Sequence, residues 1–549
     1  MKNINKYLAL PLIGIALAGC NGLDTEFQGQ YVSAEHKQEV VSQNPEMAKA
    51  GVLGIPNSFN KYLSALSSRH DADFGYPGLM MAFDSMGNDM PARYSGYNWF
   101  YSFQAFTGMS STGYLTNLVW NTIYGNILNS NAIISSIDPE TDNPELMIMA
   151  AQGYAFRAFD YWVLAQIYQR NYEGRENLLC VPILTDENQE EVALNGAPRA
   201  TVQETYDQIL GDLDKAFKLV EASNVKTSAI TSVKSRRFFN LDALYGLRAR
   251  VYLTMHRYAD AANDAAKAIE ISDCTPLSIA ECSKPGFNGF DHSWLWGDAI
   301  SESDRVVTSG LINFPAMICS FSNGYVTVGQ WRSINKSLWE NIPASDVRKG
   351  WWLDDDMYSP YLTDEQLEYL QSYGLGSIDT DPNSTVASLI PHTNVKFDSY
   401  NSEILQTINA SDIPMMRIEE MYYIKAEAEI MSGSVPAGVQ TLVDFVTTYR
   451  DPSFSVKTSD VNELVDIIWK QRRVEFWGEG LSWFDIMRLN KGLDRVGGGF
   501  NKLFVYQTTN DYLSMIQPLP FSELQYNKQI TVNNEEGSRP TPVTDVASN

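Results

Sequence analysis

Cysteine is scarce in this sequence, five residues in 549, and none forms a CxxC pair. The five histidines, His36, His70, His256, His292 and His392, are scattered without metal-ligand spacing. Together these absences argue against structural zinc and leave no metal or cofactor motif. Positive charge is also short: 41 Lys+Arg face 66 Asp+Glu, a net charge of −25, which speaks against nucleic acid as a partner. Beyond the N-terminus there is no run of about eighteen apolar residues, so no internal membrane span is expected.

What is present is a globular mixture, 44% hydrophobic and 19% charged, with ample material for a large core. Aromatic residues reach 12%, more than core filling needs. Some rings are expected at the surface, where they stack on sugars or peptide side chains, and the acidic balance favours a neutral polar ligand. At the N-terminus, Lys2 and Lys6 precede an apolar run from Leu8 to Ala18, and Leu17-Ala18-Gly19-Cys20 closes it. Residues 1–19 therefore read as a bacterial signal peptide. Their ending resembles a lipobox, which implies acylation of Cys20 by palmitate-type chains; each buried CH₂ adds about 0.8 kcal/mol of membrane affinity. Cys180, Cys274, Cys282 and Cys319 follow, and two readings of Cys274 and Cys282 stay open, a disulfide or two buried thiols.

Residues 20–50 read as the anchor and a polar, extended tether, and 51–549 as one α-helical domain. In its first part, about 51–270, small and aromatic residues recur at helix-pair spacing. The clearest pair runs from Leu241 to Ile269, where Ala249, Tyr252, Tyr258, Ala261, Ala265 and Ala268 take tetratricopeptide-like positions and His256 replaces the usual turn glycine. Met147 to Gln169 and Ile418 to Val443, the latter broken by Gly433 and Pro436, have similar texture. Residues 271–410 are rich in Pro, Gly, Asn, Ser and Trp, and read as long loops with a few short strands such as Trp294-Leu295-Trp296 and Tyr325 to Val328.

The densest charged motif is Arg472 to Arg488. The spacing places Arg472, Glu475 and Glu479 on one helix face, a break at Glu479-Gly480, and Asp485 with Arg488 on the next helix. Glu475 and Glu479 have the residue types of a glycosidase acid/base pair, yet arginines one turn away hold carboxylates ionised, which suits a structural ion-pair network. Arg417, Glu420 and Glu427 form a second cluster whose spacing also predicts one helix face, paired with the Arg472 to Arg488 segment. Asp354-Asp355-Asp356 lacks EF-hand spacing and reads as a solvated turn, with calcium left open.

At these residues the sequence resembles the SusD/RagB outer-membrane nutrient-binding lipoproteins of Bacteroidetes. Arg417, Glu420, Ala426, Glu427 and Ala428 match one family motif. Arg472, Arg473, Glu475, Glu479, Gly480, Trp483, Asp485 and Arg488 match a second, in which Gln471 replaces a Glu and Ser482 an Arg. Pro518 to Leu524 is similar to the closing proline-rich segment, and Ala155-Phe156-Arg157-Ala158-Phe159 to an upstream helix. The resemblance implies a SusD-like, mostly α fold with tetratricopeptide-like helix pairs, whose C-terminal part from about 271 is the RagB/SusD portion. It implies a lipid-anchored protein in the outer membrane, exposed at the cell surface, that captures oligosaccharides without transforming them and delivers them to a SusC-like TonB-dependent transporter.

The ligand-site candidate is Tyr94 to Phe106, with seven aromatics in thirteen positions, after the turn-like Gly87-Asn88-Asp89. Trp99 and Tyr97 are the expected stacking rings, with Asn98, Arg93 or Asp89 for the hydroxyls; Phe100, Phe103 and Phe106 are assigned to the core. Tyr325 and Trp331 form a second set from another loop, and Trp351 and Trp352 a neighbouring one; each of these rings has an alternative place beneath a long loop. Arg93, Arg305 and Arg332 are available to offset the acidic surface. Two further functions stay beside glycan capture: peptide or other nutrient binding by the same architecture, and a lipid-anchored glycoside hydrolase.

Overall fold

The computed structural model describes residues 34–62, 72–92, 98–224, 235–309, 312–324, 326, 330–373, 381–383 and 389–545. The segment expected to be a signal peptide, residues 1–19, and Cys20 lie outside them.

The described chain is mostly helical, with twenty α-helices and two short two-stranded sheets. The first helices are α1 (Ala34–Gln43), α2 (Glu46–Phe59), α3 (Tyr76–Met86) and the single turn α4 (Tyr101–Gln104). Residues 34–50 are thus largely helical, which corrects the expected extended tether: Val41, Ala48 and Val52 bury apolar surface, and α1 and α2 pack on the long helix Tyr114–Ser136. The scaffold then runs through α5 (Tyr114–Ser136), α6 (Pro144–Tyr168), α7 (Gln189–Asn195), α8 (Val202–Ser223), α9 (Leu241–Thr254) and α10 (Tyr258–Ile271). Short helices follow in the loop-rich part: α11 (Ile279–Cys282), α12 (Arg305–Thr308), α13 (Phe314–Ile318), α14 (Lys336–Glu340) and α15 (Asp364–Tyr373). The chain closes with α16 (Ile418–Met431), α17 (Val435–Tyr449), α18 (Val461–Glu475), α19 (Ser482–Arg488) and α20 (Phe521–Tyr526).

Helices pack on one another as neighbours: α5 on α6, α6 on α8, α9 on α10, α10 on α16 and α16 on α17. Packed on both sides, α6 is buried around nearly its whole circumference, so it shows no amphipathic stripe. Its Arg157 donates to both oxygens of Asp212 on α8 at 2.8 Å and to Asp186 at 2.7 Å, fastening the helix to its neighbours. The α9–α10 turn is where the sequence places it, and His256 adopts the left-handed conformation, φ 57°, that a glycine would take there. Gly433, φ 95°, ends α16, and Pro436 sits in the first turn of α17.

In the sheets, β1 (Leu179–Pro182) pairs with β2 (Arg199–Thr201), and β3 (Trp294–Asp298) with β4 (Ile413–Arg417), both antiparallel. β3 and β4 are buried along their whole length, so Trp294 and Trp296 both belong to the core. That ribbon delivers Arg417 to the start of α16 as its N-cap residue. All four described cysteines are buried free thiols; Cys274 donates to the Trp294 carbonyl rather than pairing with Cys282.

Candidate functional site

The site is built upward from the Gly87-Asn88-Asp89 turn at the end of α3. Asn88 donates to the Gly492 carbonyl and accepts from the Asp494 N–H, while its own carbonyl accepts from the Asn335 amide at 2.8 Å. Asp89 is buried, and Arg473 donates to both its carboxylate oxygens at 3.0 Å. With Trp477 also donating to the Asp89 carbonyl at 2.8 Å, this residue anchors the turn and is no ligand group, which corrects that expectation. Below the turn, Arg495 donates to the carbonyls of Ser85, Met86, Gly87, Gln104 and Phe504 with no carboxylate among these partners. Burial pushes this guanidinium down to about 9, so it stays charged at neutral pH and holds the C-terminal end of α3 through its carbonyls.

The described chain resumes at Asn98. Arg93 and Tyr97 lie outside the described residues, as does Tyr325. Asn98, Phe100 and Phe106 all have positive φ, 54°, 64° and 53°, a concentration of left-handed backbone unusual for side chains of this size. Phe100, Phe103 and Phe106 are core residues, as expected. Trp99 is half-buried against the core and meets the second predicted loop. Its N–H donates to the Gln330 side-chain oxygen at 3.3 Å, and Arg332 directs both terminal nitrogens to its carbonyl at 3.5 Å. An antiparallel bridge from Ala92 to Arg332 closes the junction. The two separate loops are therefore brought together, but not through the residues named for the second.

Trp331 is 1% exposed and packs in the core; it presents no face to a ligand, which corrects its assignment as a stacking ring. Trp351 and Trp352 are buried equally deeply, and Trp351 donates to the Cys282 carbonyl. The long loops fold back over these rings, and the apolar area they remove from water outweighs a place at the surface. Arg332 is buried too, over the Phe100 ring, and burial pushes it down to about 10, so it stays charged beneath Trp99 instead of offsetting surface charge. Beside the bridge opens a cleft of about 140 Å³ lined by residues including Ala92, Ser333, Lys336, Asp355 and His392. Burial holds the His392 imidazole below its usual value, and its Nε2 lies 3.4 Å from Asp355. In the acidic turn, Asp354 accepts from the N–H groups of Asp356 and Tyr358 at 2.9 Å.

The charged motifs form two buried, balanced clusters. In the first, Arg348, Lys396, Arg417 and Arg450 meet Asp346, Glu419, Glu475 and Glu479. In the second, Arg250, Arg472 and Arg488 meet Glu420, Glu427 and Asp485. The predicted pairing of Glu420 and Glu427 with the Arg472 to Arg488 segment is therefore present. Two geometric expectations are corrected. Arg417 ends β4 and turns to Glu475 and Glu479, away from Glu420; and α18 stops at Glu475, so Glu479 sits in the following turn, where Gly478 and Gly480 have φ 82° and 76°. Gln471 accepts from Arg348 with its amide oxygen, keeping the hydrogen bond at the position of the motif's glutamate without its charge.

Burial pushes Glu475 and Glu479 upward, but the facing cations, Arg450 and Arg417 for Glu475 and Arg417 with Lys396 for Glu479, outweigh it and hold both below the usual carboxylate range. Two carboxylates kept ionised and sharing Arg417 cannot act as a proton donor and its partner, so the acid/base reading of this pair fails. Among the described residues one set of carboxylate and thiol groups has metal-like proximity, Asp242, Asp273 and Cys274. Arg236 already lies against both carboxylates, supplying the positive charge a cation would bring.

Comparison with known proteins agrees with this architecture. A family profile described as "Starch-binding associating with outer membrane" matches residues 74–253, and the SusD family profile matches residues 325–536. Two SusD-like proteins of Formosa agariphila are 24% and 23% identical, over 78% and 76% of this chain and 80% of each relative. Among solved structures, a SusD-like carbohydrate binding protein of Bacteroides vulgatus has a TM-score of 0.69 at 20% identity, covering 88% of this chain and 97% of its own. A SusD superfamily protein of Bacteroides thetaiotaomicron gives 0.68 at 20% identity, covering 89% and 99%. With both profiles placed on a helical scaffold of this form, the chain belongs to the SusD/RagB family.

Proposed function

We propose that this protein captures oligosaccharides at the cell surface without catalysis, anchored by an acylated Cys20, and hands them to a SusC-like TonB-dependent transporter in the outer membrane. The observation that carries the reading is the junction at Trp99. A half-buried indole sits where the 98–106 loop meets Gln330 and Arg332, on a strained backbone fixed from below by Arg332 and Arg495. A half-buried ring suits the C–H face of a sugar, and adjacent amides such as Asn98 suit its hydroxyls. Preorganisation of this kind favours binding because little ordering remains to be done. The paired state of Glu475 and Glu479 supports the non-catalytic reading. The description of the N-terminal family profile supports the membrane assignment, and no helix among the described residues is long and apolar enough to cross a membrane.

The test is calorimetry of residues 21–549 against neutral, acidic and host-type oligosaccharides, with Trp99→Ala and product analysis after long incubation. Saturable binding that Trp99→Ala weakens, with intact sugar recovered, is the expected result. Shortened products would make the protein an enzyme, and binding of peptides in place of every sugar would give the ligand class to the alternative reading. Pull-down from outer membranes that retrieves no β-barrel of transporter size would overturn the partner assignment.

A further inference from the structure

The molecule carries a second groove whose lining includes Asn88, Asn335, Arg473 and Asp494, which hold the 87–89 turn, but not Trp99, Gln330 or Arg332. It runs along the exposed side of α18 against α14 and the loop at 494–496, encloses about 470 Å³, and is continued past Lys470 by a section of about 370 Å³. Lys470 separates the two by donating to the Asn341 carbonyl at 2.9 Å. Volumes of this order fall in the range of small-ligand sites.

The chemistry of the lining narrows the ligand. Trp469 is half-buried, and its indole N–H is shielded from water with no acceptor among the described residues. A donor with so little accessible surface is as closed to a ligand oxygen as to water, so the groove offers the ring and not its N–H. The same lining holds the Ser337 hydroxyl, which donates to the Gly497 carbonyl and keeps its lone pairs, and Asn341, whose amide N–H₂ donates to the Ser337 carbonyl. Asp466 and Asp494 supply carboxylates, and Lys470 and Arg473 the cations, so the lining is close to neutral overall. Arg473 lies 4.8 Å from the centre of the Trp469 ring and is itself held by Asp89. A charge-balanced groove whose lining offers donors and acceptors together with one indole suits neither an ion nor an apolar helix. It suits a neutral polyol with an apolar C–H face.

From this geometry we infer a second saccharide-binding site, in the groove formed by Trp469, Asn341, Ser337, Lys470 and Asp494, which takes a short neutral glycan segment independently of Trp99. The inference rests on the glycan-binding reading above, but not on Trp99 being its location. Two such sites on one scaffold let a long glycan be held at two points, which raises its effective affinity without new contacts.

The experiment is calorimetry of residues 21–549 with maltoheptaose, cellohexaose, xylohexaose and mannopentaose. The proteins are wild type, Trp99→Ala, Trp469→Ala, Asn341→Ala and the double variant Trp99→Ala/Trp469→Ala, with melting temperatures recorded for each. Trp469 and Asn341 are not fully buried, so their variants are expected to fold. The expected result is residual binding of at least one sugar by Trp99→Ala, weakened about tenfold or more by adding Trp469→Ala and measurably by Asn341→Ala alone, since loss of a stacking ring and a hydrogen bond is of that size. If Trp99→Ala removes all binding, the second site is refuted and the first reading stands. If Trp469→Ala and Asn341→Ala both bind as wild type does, the second site is likewise refuted. If wild type binds none of these sugars, both readings fall for neutral glycans.

Discussion

Replacing Glu475 by Gln tests the buried charge network most severely. Its two carboxylate oxygens accept from Arg450 at 2.8 and 2.9 Å, from Arg417 at 3.1 Å and from Arg348 at 3.1 Å. The side chain of Glu475 is 0% exposed, and the surrounding cluster balances Arg348, Lys396, Arg417 and Arg450 against Asp346, Glu419, Glu475 and Glu479. The amide keeps the shape, but it removes one negative charge and turns one acceptor into a donor facing guanidinium N–H groups. Breaking a buried pair from one side costs about 3–5 kcal/mol. At about 2.1 cal/mol/K of unfolding entropy per residue, a chain of 549 residues would show this as a fall of about 3–4 °C in Tm. The pH dependence has a definite sign. Because the arginines hold the folded pKa of Glu475 below its unfolded value, its stabilisation is complete above the unfolded pKa and fades as pH falls through the folded one. Differential scanning calorimetry of wild type and Glu475→Gln at pH 7 and pH 3 is therefore expected to show a deficit that is full at pH 7 and smaller at pH 3. An unchanged or higher Tm at pH 7, or a deficit that grows in acid, would refute the reasoning.

Three further outcomes follow from the packing. Asp160 in α6 is fully buried with the Asn126 side chain as its hydrogen-bonding neighbour, and burial outweighs that contact and pushes its pKa far up. Its ionisation thus weakens the fold as pH rises above the unfolded pKa, so Asp160→Asn is expected to raise stability by about 1–3 kcal/mol at pH 8 and by little at pH 4 in urea titrations. Trp331→Ala, a core truncation, is expected to cost about 3–5 kcal/mol, seen as a lower urea midpoint, whereas Trp99→Ala, at a half-buried position, changes the midpoint much less. Gly480→Ala is expected to destabilise by at least about 1 kcal/mol by thermal melting, because φ is 76° and the added Cβ would meet Met80 at 2.7 Å.

The legible parts of the fold were those written in local periodicity. The Ala and Tyr positions from 241 to 269 define α9 and α10, and even the left-handed His256 is visible as a residue standing where a turn glycine belongs. The pairing of Glu420 and Glu427 with Arg472 and Arg488 was legible because each partner lies on a regular helix. What sequence reasoning missed is long-range. Arg348 reaches Glu475 across 127 positions and Arg250 reaches Glu420 across 170, and no local spacing encodes such contacts. Lys396, Arg450 and Glu419 escaped notice for the same reason. At the candidate site, composition picked out both aromatic loops, but burial of Trp331, Trp351 and Trp352 depends on how loops of low periodicity fold over them. Gln330, which receives the Trp99 N–H, carried no signal of its own.

The central claim, that the glycan sits where the 98–106 and 330–332 segments meet, is tested most directly by amide hydrogen exchange. The chain is measured with and without a saturating oligosaccharide found by calorimetry. The account predicts slowed exchange in both segments together, reduced in Trp99→Ala. Saturation of the protein with no protection in either segment would contradict it.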